Sequence, residues 1–344
     1  MAYTTIDNPV EYFSATLYTG NGTARTIATG HQSDWVWLKR RDGAAGHRIA
    51  DSVRGATKLL YSDSTTSEQT DAKSITGFVS TGFTLGDDAN GYDVNTNTNT
   101  MVAWSWKAGG SASSNSNGSI TSSVSASTDA GFSIVSYTGT GSDANVGHGL
   151  SSAPELIITK SRSTTGDWKV HTSAIDGSWD VGTLNSTSAF GNSSYTASTN
   201  SIFYVGSGAP TNASSVTYVS YLLHSVKGYS KFGSYTGNGS LDAPFIHLGF
   251  KPAWLMIKRT DTTNSWVMFD NKRNAFNVVD KHLFANTTDP EDSSANYNEV
   301  DFLSNGFKLR EDNNTINASG GTYIFMAFAE LPFVNSSGIP NNAR

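Results

Sequence analysis

Three stretches decide how this chain folds: Tyr18-Thr19-Gly20-Asn21-Gly22, Tyr137-Thr138-Gly139-Thr140-Gly141 and Tyr235-Thr236-Gly237-Asn238-Gly239. Each follows an aromatic strand that starts at Phe13, Phe132 or Phe232. Each is followed by a glycine and an apolar strand ending in base: Trp35-Val36-Trp37-Leu38-Lys39-Arg40, Leu156-Ile157-Ile158-Thr159-Lys160 and Trp254-Leu255-Met256-Ile257-Lys258-Arg259. A late aromatic strand comes next, at Gly82-Phe83-Thr84-Leu85, Ile202-Phe203-Tyr204-Val205 and Gly306-Phe307-Lys308-Leu309. A closing apolar strand ends each set, at Met101 to Trp106, Tyr218 to Leu223 and Tyr323 to Phe328.

The spacing argues against chance. From the first tyrosine to the late phenylalanine is 65, 66 and 72 residues, and to the closing aromatic (Trp104, Tyr221, Phe328) it is 86, 84 and 93. Self-similarity at a fixed period is the mark of a repeat architecture. The expected fold is all-β, as three tandem antiparallel β-sandwiches of jelly-roll or lectin-like type. The expected layout is an anchor segment at 1–11, repeats at 12–108, 131–228 and 229–333, a Gly/Ser-rich linker at 109–130 and a tail at 334–344. The linker reads as a flexible coil unless something docks it, with a short strand near Ser119 to Val124. The first repeat is therefore expected to move more freely than the other two. Short helices are expected only around Ala50 to Leu60 and Asn274 to Phe284. Asn21-Gly22, Asn238-Gly239 and Asn305-Gly306 read as hairpin turns.

Composition narrows the function. Of 344 residues only 15% are charged, against about 25% in an average soluble protein, and the net charge is −6. No basic run exceeds Lys39-Arg40-Arg41, so the concentrated basic face of a nucleic-acid binder is missing. The absence of cysteine rules out disulfides and Cys-based zinc sites. No apolar run reaches the roughly 20 residues needed to cross a bilayer. The first residues lack a basic start and an apolar stretch, so synthesis in a cytoplasm is the expectation.

No residue pattern points to chemistry. His31, His148 and His247 fall near one turn but are out of register with one another, and no His-x-x-x-His or His-Glu-x-x-His spacing occurs. Of the acids that could form a glycosidase pair (Asp42, Asp87, Asp88, Asp270, Asp301, Glu311 and Asp312), Asp87-Asp88 and Glu311-Asp312 follow the late strand in two repeats and read as solvated turns. No catalytic, metal or cofactor residue is assigned, and no cofactor is implied. Trp35 and Trp37 share one strand face, as do Trp104 and Trp106, while Trp254 opens the matching strand of the third repeat. Core packing accounts for one face. Outward, these five tryptophans would be candidate surface or partner contacts, since Trp carries much interface energy. Trp168, Trp179 and Trp266 are expected to cap one end of each sandwich.

Met1-Ala2-Tyr3-Thr4-Thr5-Ile6, the Tyr18 to Gly22 turn, Asp34 to Lys39, Gly147-His148-Gly149-Leu150, Gly228 to Gly239 and Ala327-Phe328-Ala329-Glu330 resemble repeat-bearing, tail-fibre-like virion structural proteins of marine bacteriophages. The resemblance covers nearly the whole chain. It implies a non-catalytic, exposed particle component in the virion, in contact with other virion proteins and with host surface polysaccharide, and a homo-oligomer with a trimer as the expected state. The sequence leaves open a capsid decoration or head-fibre protein, and a carbohydrate-binding or polysaccharide-degrading tailspike. Residues 1 to 9 are expected to attach the chain to the particle.

Overall fold

The computed structural model describes residues 2–292 and 299–341. Its main strands form three pairs of antiparallel sheets, one pair per sequence unit, with a further two-stranded sheet of Lys58–Leu59 and Gln69–Thr70 in unit 1. In unit 1 the larger, inner sheet runs in the order Phe13–Thr19, Thr100–Trp106, Trp35–Arg40, Arg48–Asp51, and the outer sheet in the order Arg25–Ala28, Gly82–Leu85, Ile75–Val79. Unit 3 repeats this order with Ser230–Thr236, Thr322–Pro332, Phe250–Arg259 and Trp266–Asp270 inside, and Phe245–His247, Gly306–Leu309 and Val300–Leu303 outside. Unit 2 has the same inner order, Phe132–Thr138, Thr217–Leu223, Leu156–Ser161, Lys169–Thr172, but its outer sheet holds only Ala144–Gly147 and Ile202–Val205.

Both faces of every inner sheet are buried, which is why these strands read as near-continuous apolar runs. Side chains alternate across a strand. In Trp35-Val36-Trp37-Leu38, the valine and leucine meet the outer sheet, with Ile27, Phe83 and Leu85. The tryptophans face the other way. There they join Phe13, Trp104 and Trp106 of unit 1, Phe132, Ile158 and Tyr221 of unit 2, and Trp254, Met256 and Phe328 of unit 3 in one common cluster. Trp35 stacks on Tyr221 at 4.5 Å between ring centroids, Phe13 stacks on Phe328 at 5.2 Å, and Trp106 meets Trp254 edge-on at 5.6 Å. The three units thus share one aromatic centre and are not beads on a string. The indole N–H groups of Trp35, Trp106 and Trp254 find no oxygen there. The surrounding ring faces are the acceptors on offer.

The tyrosine-glycine motif builds the corner where the chain leaves the inner sheet for the outer one. Tyr18, Tyr137 and Tyr235 donate their hydroxyls to the carbonyls of Val94, Thr211 and Ile316 at 2.7, 2.6 and 2.8 Å. The next residue each time is a fully buried asparagine: Asn95, Asn212 or Asn317. Its side-chain oxygen accepts from the backbone N–H of Asn21, Thr140 or Asn238, and its backbone carbonyl accepts from the second glycine, Gly22, Gly141 or Gly239. That glycine has a positive φ (65°, 78° and 62°). The first glycine is fixed by close approach, since a Cβ on Gly20, Gly139 or Gly237 would lie 2.0, 2.3 and 2.3 Å from a carbonyl oxygen. The expected hairpins at Asn21-Gly22 and Asn238-Gly239 are therefore sheet-to-sheet corners. Asn305 does lie in a tight hairpin, with Leu303 paired to Gly306.

Other expectations are corrected. Residues 109–130 are not a free linker: Ser113–Asn115 and Ser122–Ser127 extend the unit 2 inner sheet, and Ile120 and Val124 enter its core. Gly109 N donates to Ser125, and Ala108 N and Gly110 N donate to Asp34, so its start is docked, and at its end Ala130 enters the common core. No helix forms at Ala50 to Leu60 or Asn274 to Phe284. Asp51 and Asp270 each accept from the next backbone N–H groups like helix caps, but Arg54 and Arg273 fold back onto those aspartates and the chain turns instead. Of the expected anchor segment 1–11, the described residues 2–11 pack on the body: Ile6 sits in the common core, Tyr3 donates to the Gly249 carbonyl at 3.0 Å, and Asp7 accepts from Ser336.

Candidate functional site

The basic end of each apolar strand is where the units grip one another. Lys39, Lys160 and Lys258 are fully buried. Each ammonium donates to a backbone carbonyl of a neighbouring unit: Lys39 to Thr288 at 3.0 Å, Lys160 to Thr65 at 2.9 Å and Lys258 to Thr187 at 3.3 Å. Unit 1 thus reaches unit 3, unit 3 reaches unit 2, and unit 2 reaches unit 1. Ring closure is cyclic. The same three carbonyls also accept a backbone N–H, from Ala45, Gly166 and Asn264. Burial holds all three lysines down to about 8.

Eight residues after each lysine stands His47, Trp168 or Trp266. Trp168 donates to the Tyr61 carbonyl at 2.7 Å and Trp266 to that of Thr183 at 3.0 Å. His47 replaces the indole in unit 1, accepting from Trp37 Nε1 at 2.8 Å through Nδ1 and donating to the Phe284 carbonyl at 3.0 Å through Nε2. Trp37 stands where the other units have Ile158 and Met256, so the smaller imidazole is matched by a larger neighbour. Trp168 and Trp266 therefore bridge units; they are not end caps.

This geometry overturns the surface role for Trp35, Trp37, Trp104, Trp106 and Trp254. All are 0 or 1% exposed. The two-residue spacing correctly put them on one face, and that face is the shared centre. They hold the units together within one chain and are out of reach of any external partner.

Five of the seven acids, Asp42, Asp87, Asp88, Asp270 and Asp301, are engaged in ion pairs or loop closure. Asp270 accepts from Trp104 Nε1 at 3.0 Å and from Arg273 at 2.6 Å. Asp88, expected in a solvated turn, is buried and accepts from Tyr92, Val94 and Asn95 backbone N–H groups. Asp87 alone of that pair is solvated, beside Lys73. Asp42 pairs with Arg40 and Asp301 with Arg310. Desolvation raises the Glu311 carboxyl, with Glu299 and Asp312 adding to it. Among the described residues no group of three or more His, Asp or Glu could hold a metal, and no helix is long and apolar enough to cross a membrane. His31 and His148 are buried and bonded to the carbonyls of Val10 and Thr199, whereas His247 is exposed.

A cleft of about 330 Å³ opens on unit 2, lined by Lys169, His171, Asn192, Ser193, Tyr195 and Thr211 among others. At the positions of Lys169 and His171, unit 3 has Val267 and Phe269, covered by Val279 and by Val300 of the third outer strand. Unit 1 has Arg48 and Ala50, with the Arg48 guanidinium over Tyr61 and Tyr92 at 4.9 and 5.5 Å. Unit 2 has no third outer strand, and the coil around Tyr195 roofs only part of the gap. Sequence reading missed both this cleft and the buried asparagines. The asparagine signal was present: Asn95 and Asn212 each lie nine residues before the closing aromatic. The cleft had no such signal.

These observations define an all-β protein of three two-sheet units closed around one aromatic centre. The chain belongs to the family described as a domain of unknown function (DUF7483), whose model matches residues 8–332. No curated protein matches it.

Proposed function

We propose that the chain is a non-catalytic structural protein of a bacteriophage virion, tail-fibre-like or adhesin-like, exposed on the particle and in contact with host surface glycans. The observation that carries this reading is the closed frame. Three buried lysines, three carbonyl acceptors and one shared aromatic cluster tie residues about 250 positions apart into a single body. Such a frame suits bearing load while loops and clefts face outward. The motifs that resemble those of tail-fibre-like virion proteins support the same reading, and five of the seven acids weighed for hydrolysis are engaged in ion pairs and loop closure. On this reading the chain assembles with other virion proteins and with copies of itself.

Cryo-electron microscopy of purified particles with this chain labelled tests the proposal. Density at the tail tip or in fibres is the expected result. Hundreds of copies over the capsid lattice would move the assignment to capsid decoration, and absence from particles would end it. Native mass measurement of the purified chain tests the expected trimer. Turnover of host polysaccharide by the purified chain would remove the non-catalytic part.

A further inference from the structure

The unit 2 cleft differs from its counterparts in one residue that the fold does not explain. His171 is only 5% exposed, yet neither ring nitrogen has a hydrogen-bond partner among the described residues. The Tyr195 ring packs edge-on against it at 4.2 Å between centroids. Unit 3 places Phe269 at this position, which shows that an apolar ring satisfies the fold there. The side chain is largely buried, yet its ring nitrogens are not sealed from solvent: they open on the cleft, where water meets them when the site is empty. A ligand entering the cleft would take over the bonds that this water supplies.

The rest of the lining says which ligand. Tyr195 is held by its hydroxyl, bonded to Thr211 Oγ1 at 2.6 Å, which fixes the ring at the cleft. Asn192, Ser193 and Ser194 add amide and hydroxyl groups. Lys169, the cation at the rim, is already engaged with Asp167 and Thr183, at 3.2 and 3.1 Å. An anion would therefore find no free positive charge, and an aliphatic ligand would leave the imidazole unpaired. A sugar hydroxyl is both donor and acceptor, matching an uncharged imidazole, which is one of each. Burial keeps His171 in that uncharged form, down to about 4. The volume lies at the small end of the 300–1,000 Å³ typical of ligand sites.

We infer that the unit 2 cleft is a binding site for a neutral sugar residue, with His171 as the buried hydrogen-bonding group and the Tyr195 ring beside it. This deepens the glycan-contact part of the function proposed above and rests on it only for biological setting.

The test is saturation-transfer-difference NMR on the full chain with glucose, galactose, mannose and N-acetylglucosamine. Transfer to at least one sugar is expected. It should weaken at least tenfold in His171→Phe, which installs the residue unit 3 carries there, and in Tyr195→Ala, and persist in Thr263→Ala on a distant groove of unit 3. No transfer to any of the four sugars, or transfer unchanged in both cleft variants, would overturn the assignment. Should His171→Phe fold poorly by circular dichroism, Tyr195→Ala alone decides. Sugar binding by a chain missing from particles would refute the virion reading and leave this site standing. A particle-bound chain that ignores all four sugars would do the reverse.

Discussion

The seam between units 1 and 2 and the seam between units 2 and 3 occupy equivalent places in the ring but are made of different chemistry. At the first, Asp51 and Arg54 are fully buried and paired at 2.5 Å, Tyr221 donates to Asp51 at 2.7 Å, and Glu68 takes Arg162 with two bonds at 2.9 and 3.1 Å. The seam between units 3 and 1 repeats this with Asp270, Arg273, Trp104, Glu291 and Arg41. At the seam between units 2 and 3 the same positions hold Thr172, Ile175, Phe190 and Thr260, and Phe190 packs against Trp266 at 5.8 Å. The aromatic tip accounts for the difference. Tyr221 and Trp104 bring a polar hydrogen into the centre and need a buried acceptor, whereas Phe328 brings none and needs no aspartate.

Removing one member of a buried ion pair leaves the other charge uncompensated. Asp270→Ala should therefore destabilise the protein by about 3–5 kcal/mol, read as a loss in urea unfolding free energy. Thr172→Ala, its equivalent at the apolar seam, loses a bond to the Glu155 carbonyl and should cost about 1 kcal/mol. Equal losses at the two sites would show that the seams do not differ energetically.

The reverse exchange makes the comparison sharper. Asp51→Thr, Arg54→Ile and Tyr221→Phe together install the apolar seam between units 1 and 2, while Glu68 keeps Arg162. Replacing a buried ionic cluster with packed apolar groups is often neutral or stabilising, by about 1–4 kcal/mol. Tyr221→Phe alone should cost about 1.5–3 kcal/mol, because it removes a bond to a charged acceptor. A triple variant weaker than that single one would mean the ionic seam is irreplaceable here.

Acid should separate the seams a third way. Burial holds His31 and His171 down to about 4, and His47, at the seam between units 3 and 1, well below its ordinary value. An unfolded histidine titrates near 6.5. Between about 4 and 6.5 the unfolded chain binds protons that the folded chain refuses, so stability is present above 6.5 and is lost as pH falls toward 4. The melting temperature should drop across that window. The paired change Trp37→Ile with His47→Trp, which copies the unit 2 arrangement, should make the drop shallower; an unchanged slope would remove His47 as a contributor. The smallest effect expected is on the alkaline side. Unfolded lysine titrates near 10.4, so deprotonation of Lys39, Lys160 and Lys258 near 8 raises stability from about 8 until buried tyrosines begin to oppose it near 10. Lys160→Met should flatten that rise.

Much of this was legible in the residues. The recurrence of Tyr-Thr-Gly-x-Gly, the lysine at the end of each apolar strand and the alternation Trp35-Val36-Trp37 gave the units, their order and their buried faces. What the faces are buried against was not legible, because spacing of two says that a side is covered and nothing about by whom. An indole N–H with no local acceptor looks like a surface group; here the acceptor for Trp104 is Asp270, 166 positions away. Residues 109–130 read as coil because serine and glycine carry little strand signal, yet they find a ready sheet edge in Phe132–Thr138. The sugar cleft depends on a strand that unit 2 lacks, and a missing strand leaves no motif to find.

The lysine and arginine bonds from unit 1 to unit 3 also set a schedule. Lys39 and Arg41 meet their partners Thr288 and Glu291 across 249 and 250 positions. During synthesis at about 5–20 residues per second, unit 1 is complete roughly 10–40 s before those partners exist. Through that interval the faces of Trp35, Trp37, Trp104 and Trp106 have no finished centre to enter. The last third of the chain is thus an intramolecular chaperone for the first, and a ribosome stalled before residue 291 would release a sticky, half-built product.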